Sequence, residues 1–192
     1  FLLVVALVMA HQNSLLKQQA LQTGRDPVVL IASNLNEINV SFDSLRNELL
    51  RNPRIQSVST VSAPPWQSGG MHVTMASSPQ ADASREDTLF NRVGHDFFAT
   101  IGLELLAGRL LDRERGDVLQ FGDVGRGREP PVLIDRALAT SLGWHDPNEA
   151  VNKLTYAMNW GPAPIAFRVV GVVEDGYPRL VGPNTASNMY GL

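Results

Sequence analysis

The chain has 192 residues, which is enough for one domain or two small lobes with a hydrophobic core. Its formal net charge is -3 and its basic residues are scattered among acidic ones, which argues against nucleic acid as a partner because phosphate binding needs a basic surface. The sequence has no cysteine, so disulfide frameworks and thiolate metal sites are excluded.

The chain begins with an uncharged apolar run, Phe1 to Ala10, followed by a polar, helix-compatible segment from His11 to Thr23. This run is too short to cross a bilayer, which needs roughly 20 residues, and it lacks the basic region of a signal peptide. We interpret residues 1–23 as the end of a transmembrane helix and its juxtamembrane extension. A buried core helix or strand is the alternative interpretation of the apolar run.

Three elements are predicted next, in the order strand, helix, strand. Val28 to Ala32 is a β-branched run bounded by turn residues. Ser41 to Asn52 has leucines at helical spacing, with Ser41 to cap its start and Pro53 to stop it. Ile55 to Ser62 is rich in Val, Ser and Thr, as strands are. This order predicts a β-α-β unit with parallel neighbouring strands.

A break in pattern separates this unit from the next region. Met71 to Met75 alternates in polarity, as a half-exposed strand does. Thr88 to Val93 is a further predicted strand, and a short helix from Asp96 to Ile101 ends at Gly102. Residues 116–130 are rich in glycine and charge and are predicted to form a flexible loop.

The last predicted unit roughly mirrors the first. Asp135 is its predicted helix N-cap, and Pro147 suits the first position of a helical turn. The predicted elements are a strand from Val132 to Ile134, a helix from Asp135 to Leu142, a turn of helix after Asp146, and strands from Lys153 to Tyr156 and from Phe167 to Val173.

These elements predict an α+β fold. The two β-α-β-like units are expected to form one lobe from residues 24–65 and 131–180. Residues 66–130 are expected to form a smaller inserted α+β lobe that includes the loop at 116–130. The end of the transmembrane helix precedes both lobes.

The sequence predicts no catalytic, cofactor or metal site. The glycine-rich stretch from Gly122 to Gly127 superficially suits phosphate binding, but the prolines that follow forbid the helix that such a loop requires. The four histidines have no partner at metal-ligand spacing. A hydrolase would need His72 or His95 beside carboxylates and a nucleophile, and no serine sits in a nucleophile elbow. The other histidines are His11 and His145.

A small set of residues is singled out for structural or interface roles. Glycine allows a positive φ or the close approach of another backbone. Arg109 is placed to cap a helix end or to bind a carboxylate such as Asp112. The tryptophans lie at loop edges, where they either contact a partner protein or pack over the edge of a lobe. The set comprises Gly102, Gly108, Arg109, Gly171, Trp66, Trp144 and Trp160.

Three blocks of the second half carry a family resemblance. They are Arg92 to Arg109, Pro131 to Ala139, and Phe167 to Asp175, and each joins a β-type run to a helix or a turn. In this order they resemble the periplasmic core domain of MacB-like ABC transporter permeases, of the FtsX/MacB type. The resemblance covers nearly the whole chain and departs from the family at the glycine-rich stretch of residues 116–130.

The resemblance implies a non-catalytic domain that faces the periplasm from the bacterial inner membrane, between the first and second transmembrane helices of a permease. It implies a porter-like lobe for the larger predicted lobe. It also implies mechanotransmission for efflux or export, in which an ATPase on the cytoplasmic face drives movement that reaches periplasmic substrates. The implied partners are that ATPase subunit or domain, a periplasmic adaptor protein and the membrane.

A second hypothesis comes from a different class of protein. A membrane-anchored extracellular binding or pilin-like subunit also starts with an apolar helix. Pilin-like proteins usually carry glutamate at the fifth position of the mature chain, where this sequence has Val5. This subunit is therefore the alternative to the permease domain.

Overall fold

The structure is a computed structural model that describes residues 28–31, 40–63, 71–80, 82–94, 96–119, 127–175 and 187–192. Its elements are, in chain order, helix α1 (Phe42–Leu50), strands β1 (Met71–Ala76) and β2 (Arg85–Arg92), helix α2 (Phe97–Ile101), strand β3 (Leu105–Gly108), a 3-10 turn (Arg113–Arg115), strand β4 (Pro131–Asp135), helices α3 (Arg136–Ser141) and α4 (Pro147–Ala150), and strands β5 (Leu154–Ala157), β6 (Ile165–Val173) and β7 (Asn188–Gly191).

One predicted segment and three residues named in the sequence analysis fall beyond these ranges. The membrane-helix end at 1–23 lies outside the described residues, and so do Trp66, His11 and His95. None of the helices within the described ranges is long and apolar enough to span a bilayer.

The strands β1 to β7 belong to one sheet, in the order β3-β6-β4-β7-β2-β1-β5. Strand β5 also pairs with β6, so β6, β4, β7, β2, β1 and β5 close into a ring, and β3 pairs with β6 alone. Two pairs are parallel, β2 with β7 and β4 with β6, and the others are antiparallel. Closure protects the strands of the ring from presenting free edges.

Strand β6 has three neighbours. Its first part pairs antiparallel with β5 and its last part with β3. Strand β4 runs parallel to it, with Val132 opposite Val169 and Leu133 opposite Gly171. Val170 is therefore an extra residue in the ladder, a β-bulge that bends the strand.

Two hydrophobic clusters cover the two faces of the central strands. The first contains Ile134 and Met189 together with residues of α3 and α4. The second contains Leu133 and Tyr190 together with residues of α2. Consecutive residues of β4 and β7 thus point into opposite clusters, as the two-residue period of a strand requires. These strands are buried on both faces.

The predicted α+β class is confirmed, and most of the predicted elements are present. The strands expected at 71–75, 88–93, 132–134, 153–156 and 167–173 correspond to β1, β2, β4, β5 and β6. The helices expected at 41–52, 96–101 and 135–142 and the turn after Asp146 correspond to α1, α2, α3 and α4.

Two predicted strands are wrong. Residues 28–31, within the strand expected at 28–32, form no strand, and Val29 is 80% exposed. The segment from Ile55 to Ser62 contributes only an isolated bridge between Val61 and Val93. A β-branched run forms a strand only where a partner strand and a buried face are available. The first predicted β-α-β unit is therefore not formed by the part of the chain that the structure describes.

The predicted separation into two lobes also needs correction for the described strands. Strands β1 and β2 come from residues 66–130, the range predicted to be a separate lobe. Strand β1 pairs with β5, and β2 pairs with β7, a strand that was not predicted. These ladders place the β1–β2 hairpin in the same sheet as the strands of residues 131–175.

The central position of β7 predicts an unequal response to two matched substitutions. Met189 has no exposed surface, so Met189→Ala is expected to lower the free energy of unfolding by about 2–5 kcal/mol because a cavity remains. Met71→Ala, at an exposed position of β1, is expected to change it by less than about 0.5 kcal/mol. Urea unfolding followed by tryptophan fluorescence measures both. Equal effects would contradict this placement of β7.

Candidate functional site

A buried carboxylate joins the start of α3 to the start of β7. Asp135 caps α3 as predicted, because its Oδ1 accepts the Leu138 N–H at 2.8 Å. Its Oδ2 accepts the Asn188 backbone N–H at 2.6 Å and the Asn188 Nδ2–H at 2.9 Å. Asp135 is only 1% exposed, so these donors replace water. We call Asp135 and Asn188 the β7 clamp.

A second carboxylate holds the same helix start. Asp175 follows β6, and its Oδ1 accepts the Ala137 N–H at 2.7 Å. Beside it, Arg136 Nη2 and Glu174 Oε1 form a half-exposed ion pair at 3.2 Å. The first turn of a helix has N–H groups without partners inside the helix. Carboxylates at the ends of β4 and β6 satisfy them here and fasten α3 to the sheet.

Burial dominates the electrostatics of the clamp. It raises the pKa of the Asp135 carboxyl to about 7, because the charged form loses its water. Hydrogen bonds from Leu138 and Asn188 lower this pKa, and the negative charge of Asp175 raises it. Burial also raises the pKa of the Tyr190 hydroxyl, and the charges of Asp135 and Asp175 add to that increase. Asp135 therefore titrates near neutral pH.

Gly108 of β3 and Gly171 of β6 lie opposite each other, where the two backbones are in close contact. A Cβ on Gly108 would lie 2.3 Å from the Val170 carbonyl oxygen, and Gly108 has a φ of +74°. A Cβ on Gly171 would lie 2.5 Å from the Arg109 carbonyl oxygen. This approach lets the Arg109 N–H donate to the Val170 carbonyl oxygen at 3.0 Å. At Gly108 both the positive φ and the close approach of another backbone require glycine, whereas at Gly171 the close approach alone requires it.

Arg109 binds a carboxylate, but the partner is Asp117 and not Asp112. Its Nη2 donates to Asp117 Oδ1 at 3.0 Å, and its Nη1 donates to Asp117 Oδ2. The Asp112 backbone N–H also donates to Asp117 Oδ2, at 2.9 Å. This two-point pair closes the turn that follows β3.

The pKa values of the pair follow from this geometry. The hydrogen bond to Asp117 raises the pKa of Arg109, since it favours the charged guanidinium. Burial alone would raise the pKa of Asp117, but the hydrogen bonds from Arg109 and from the Asp112 backbone lower it below its usual range. Both side chains are therefore charged at neutral pH.

The structure also describes Gly102, Trp144 and Trp160 from the singled-out set. Gly102 ends α2 with a φ of +72°, and a Cβ there would meet no atom within 4 Å. Trp144 and Trp160 are partly buried against the first hydrophobic cluster. The Trp160 ring lies between Phe90 and Phe167, with centroid distances of 5.0 Å and 5.3 Å. This placement favours the packing role over the partner-contact role for both tryptophans.

The structure does not bring the described histidines together. His72 is exposed on β1 and His145 is exposed before α4. In the described ranges, no group of three or more histidine, aspartate or glutamate residues is arranged to hold a metal ion. The described carboxylates Asp117, Asp135 and Asp175 are instead occupied by hydrogen bonds that fasten one element to another.

Sequence reasoning missed Asp117, Asn188 and Tyr190. Asp117 lies in a stretch with many charges, and its burial comes from the turn that wraps it. Asn188 and Tyr190 belong to β7, whose length of four residues carries no clear alternation. The sequence offered one signal of the contact with Asn188, which is the carboxylate of Asp135. A carboxylate that caps a helix with one oxygen has a second oxygen that can accept a hydrogen bond from another residue.

Comparisons with known proteins found similarity among solved structures only. No protein-family model matches the chain. No curated protein matches it either.

The solved structures that are similar to this chain include the following three. The periplasmic region of MacB from Actinobacillus actinomycetemcomitans is 19% identical, with 78% of this chain and 53% of that chain covered and a TM-score of 0.46. A domain of a proposed permease protein from Porphyromonas gingivalis is 18% identical, with 70% and 49% covered and a TM-score of 0.42. The extracellular domain of the noncanonic ABC-type transporter YknZ from Gram-positive bacteria is 18% identical, with 64% and 50% covered and a TM-score of 0.38. The matched part of this chain spans about half the length of each of these structures.

The contact between β3 and β6 predicts a large difference between two glycine substitutions. Gly108→Ala combines a positive φ with a collision against the β6 backbone, so it is expected to lower the free energy of unfolding by at least about 3 kcal/mol. Gly102→Ala also places alanine at a positive φ, but its Cβ would meet no neighbouring atom. This substitution is therefore expected to lower the free energy of unfolding by only about 1–2 kcal/mol. Thermal unfolding of both variants checks this. A Gly108→Ala variant as stable as Gly102→Ala would refute the close approach.

The buried carboxylate predicts a pH dependence of stability. The folded state raises the pKa of Asp135 to about 7 from an unfolded value of about 3.9, so it binds the proton more tightly than the unfolded chain does. The stabilisation that comes from the protonated Asp135 carboxyl is fully present below its unfolded pKa of about 3.9, and it is lost as the pH rises through 7. The free energy of unfolding is therefore expected to fall, by an amount on the order of 2–4 kcal/mol, between pH 4 and pH 8.

The variant Asp135→Asn keeps an N-cap side chain and removes the titrating group, so its stability is expected to vary little between pH 5 and 8. Asp146→Asn is the matched control, because Asp146 caps α4 at the surface and hydrogen bonds from Asn148 lower its pKa. Denaturant titrations at several pH values compare the three proteins. A wild-type slope retained in Asp135→Asn would show that another group is responsible.

Proposed function

We propose that this chain is the extracytoplasmic domain of an ABC-type permease and faces the periplasm from the bacterial inner membrane. In this proposal the domain catalyses no reaction. It transmits movement driven by a cytoplasmic ATPase to periplasmic substrates or partner proteins, in efflux or export. The family resemblance adds a periplasmic adaptor protein as a further proposed partner.

The observation that carries the proposal is the placement of the three blocks that resemble MacB-like domains. Residues 92–109 contain α2 and β3, residues 131–139 contain β4 and the start of α3, and residues 167–175 contain most of β6. Strand β6 lies between β3 and β4. The blocks are distant in sequence, yet they lie side by side in the sheet.

Direct contacts also join the blocks in pairs. Gly108 of the first block meets Gly171 of the third at backbone distance. Asp175 of the third block accepts a hydrogen bond from Ala137 of the second. The resemblance therefore describes one connected part of the molecule, and this supports the proposal more than three scattered matches would.

Membrane attachment is supported by the sequence. The apolar run from Phe1 to Ala10 and the polar, helix-compatible segment after it suit a membrane helix that continues into water. A domain fastened to such a helix is placed to receive its movement.

A single engineered cysteine tests the location of the domain. Gln80 is exposed in the turn between β1 and β2, and these 192 residues contain no natural cysteine, so labelling is measured against the full-length parent without the substitution. In spheroplasts that produce the full-length gene product, Gln80→Cys is expected to react with a membrane-impermeant maleimide without lysis. Ala76→Cys, at a buried position of β1, is the matched control and is expected to react only after unfolding.

Reaction of Gln80→Cys only after lysis would place the domain in the cytoplasm and contradict the proposal. Further membrane spans in the full-length protein and its co-purification with an ATPase are expected for a permease. A full-length protein with one membrane helix and no ATPase partner would instead support the pilin-like alternative.

A further inference from the structure

Each oxygen of the Asp135 carboxylate serves a different element of the fold. Oδ1 accepts the Leu138 N–H at 2.8 Å and so caps α3. Oδ2 accepts the backbone N–H of Asn188 at 2.6 Å and its Nδ2–H at 2.9 Å, which holds the start of β7. A carboxylate oxygen offers two lone pairs, so Asn188 engages both lone pairs of Oδ2.

The negative charge of Asp135 is balanced by N–H groups rather than by a cation. Asp135 is only 1% exposed, and none of the ion pairs among the described residues includes it. Arg136, the next residue in the chain, pairs with Glu174 instead. The charged or titratable side chains on the elements around Asp135 are Arg136 of α3, Glu174 and Asp175 after β6, and Tyr190 of β7.

These surroundings favour the uncharged form of the carboxyl in the neutral pH range. Burial raises the pKa of Asp135 to about 7, and the negative charge of Asp175 adds to the increase. A hydrogen bond to a charged group is roughly twice as strong as one between neutral groups. Uptake of a proton by Asp135 therefore weakens both hydrogen bonds that it accepts from Asn188.

The two elements held by Asp135 respond unequally to this loss of charge. The first turn of α3 has a second support, since the Ala137 N–H donates to Asp175 Oδ1 at 2.7 Å. Asn188 instead directs both its backbone N–H and its Nδ2–H to Asp135. A change of charge on Asp135 therefore acts mainly on the start of β7.

We propose that the β7 clamp is sensitive to protons: a proton bound by Asp135 weakens the attachment of Asn188 and leaves α3 in place. This sensitivity goes beyond the proposed permease function and does not depend on it. It also gives two effects of pH with opposite signs. As the pH falls, removal of a buried charge raises the free energy of unfolding, while the start of β7 becomes less firmly held.

Hydrogen exchange, measured by NMR on the isotope-labelled 192-residue chain, tests this sensitivity. The readout is the protection factor of the Asn188 amide, which compares the measured exchange rate with the intrinsic rate at each pH. It is expected to be about fivefold lower at pH 5 than at pH 8, because its acceptor loses charge. The amide of Leu133, a fully buried residue of β4, is the internal reference. Its protection factor is expected to stay equal or to rise.

Two variants identify the responsible group. Asp135→Asn keeps an N-cap side chain without a titrating group, so its Asn188 protection factor is expected to vary by less than about twofold between pH 5 and 8. Asp175→Asn removes a charge that raises the pKa of Asp135, so the midpoint of the change is expected to move to lower pH. Asp146→Asn, at the N-cap of α4, is the matched control and is expected to keep the parental pH profile.

An Asn188 protection factor that stays constant or rises as the pH falls would overturn the proton sensitivity of the clamp. A parental pH profile in Asp135→Asn would assign the effect to another group and overturn it too. If Asp135→Asn fails to fold, Asp175→Asn decides, since it leaves both residues of the clamp in place. An unchanged midpoint in Asp175→Asn would then exclude Asp135 as the responsible group.

The outcome is separable from the test of the proposed function. Hydrogen exchange is measured on the chain in solution and does not depend on the side of the membrane that the domain faces. Labelling of Gln80→Cys only after lysis would remove the permease function and leave the proton sensitivity of the clamp. A constant Asn188 protection factor would remove that sensitivity and leave the permease function.

Discussion

The absence of a side chain at Gly171 is the constraint on which the arrangement of the sheet depends. At this residue β6 changes neighbours: β5 pairs with it before the bulge, and β3 pairs with it after the bulge. The Arg109 carbonyl oxygen and a Leu133 methyl group would lie 2.5 Å and 2.8 Å from any Cβ there. A larger residue would push β3 or β4 away and would separate the strands in which the three blocks meet.

Local sequence patterns identified the elements whose stability is largely local. The β-branched runs of β4 and β6 and the N-cap at Asp135 are readable because neighbouring residues supply the signal. The runs at 28–32 and 55–62 carry the same kind of signal, but a strand also needs a partner, and partner choice is not local. Strand β7 is the opposite case. Its residues carry little local signal for a strand, and pairing with β2 and β4 makes this segment a strand.

The residues of the candidate site were likewise predictable from the sequence only where the signal is local. Glycine at positions 108 and 171 could be recognised from the sequence as a backbone requirement, although the element that each one meets could not. For Arg109, Asp112 is the nearer carboxylate in the chain, yet Asp117 is the partner because the Asp112 backbone N–H turns that carboxylate toward the guanidinium. The clamp joins residues 135 and 188, and no spacing rule connects positions that far apart.

The late place of β7 in the chain has a consequence for biosynthesis. Until residues 188–191 leave the ribosome, β2 and β4 each lack a neighbour that they have in the finished sheet. Unpaired strand edges attract other chains. The nascent protein therefore passes through a stage open to misassembly that lasts at least until β7 arrives, and chaperone assistance is most useful during that interval.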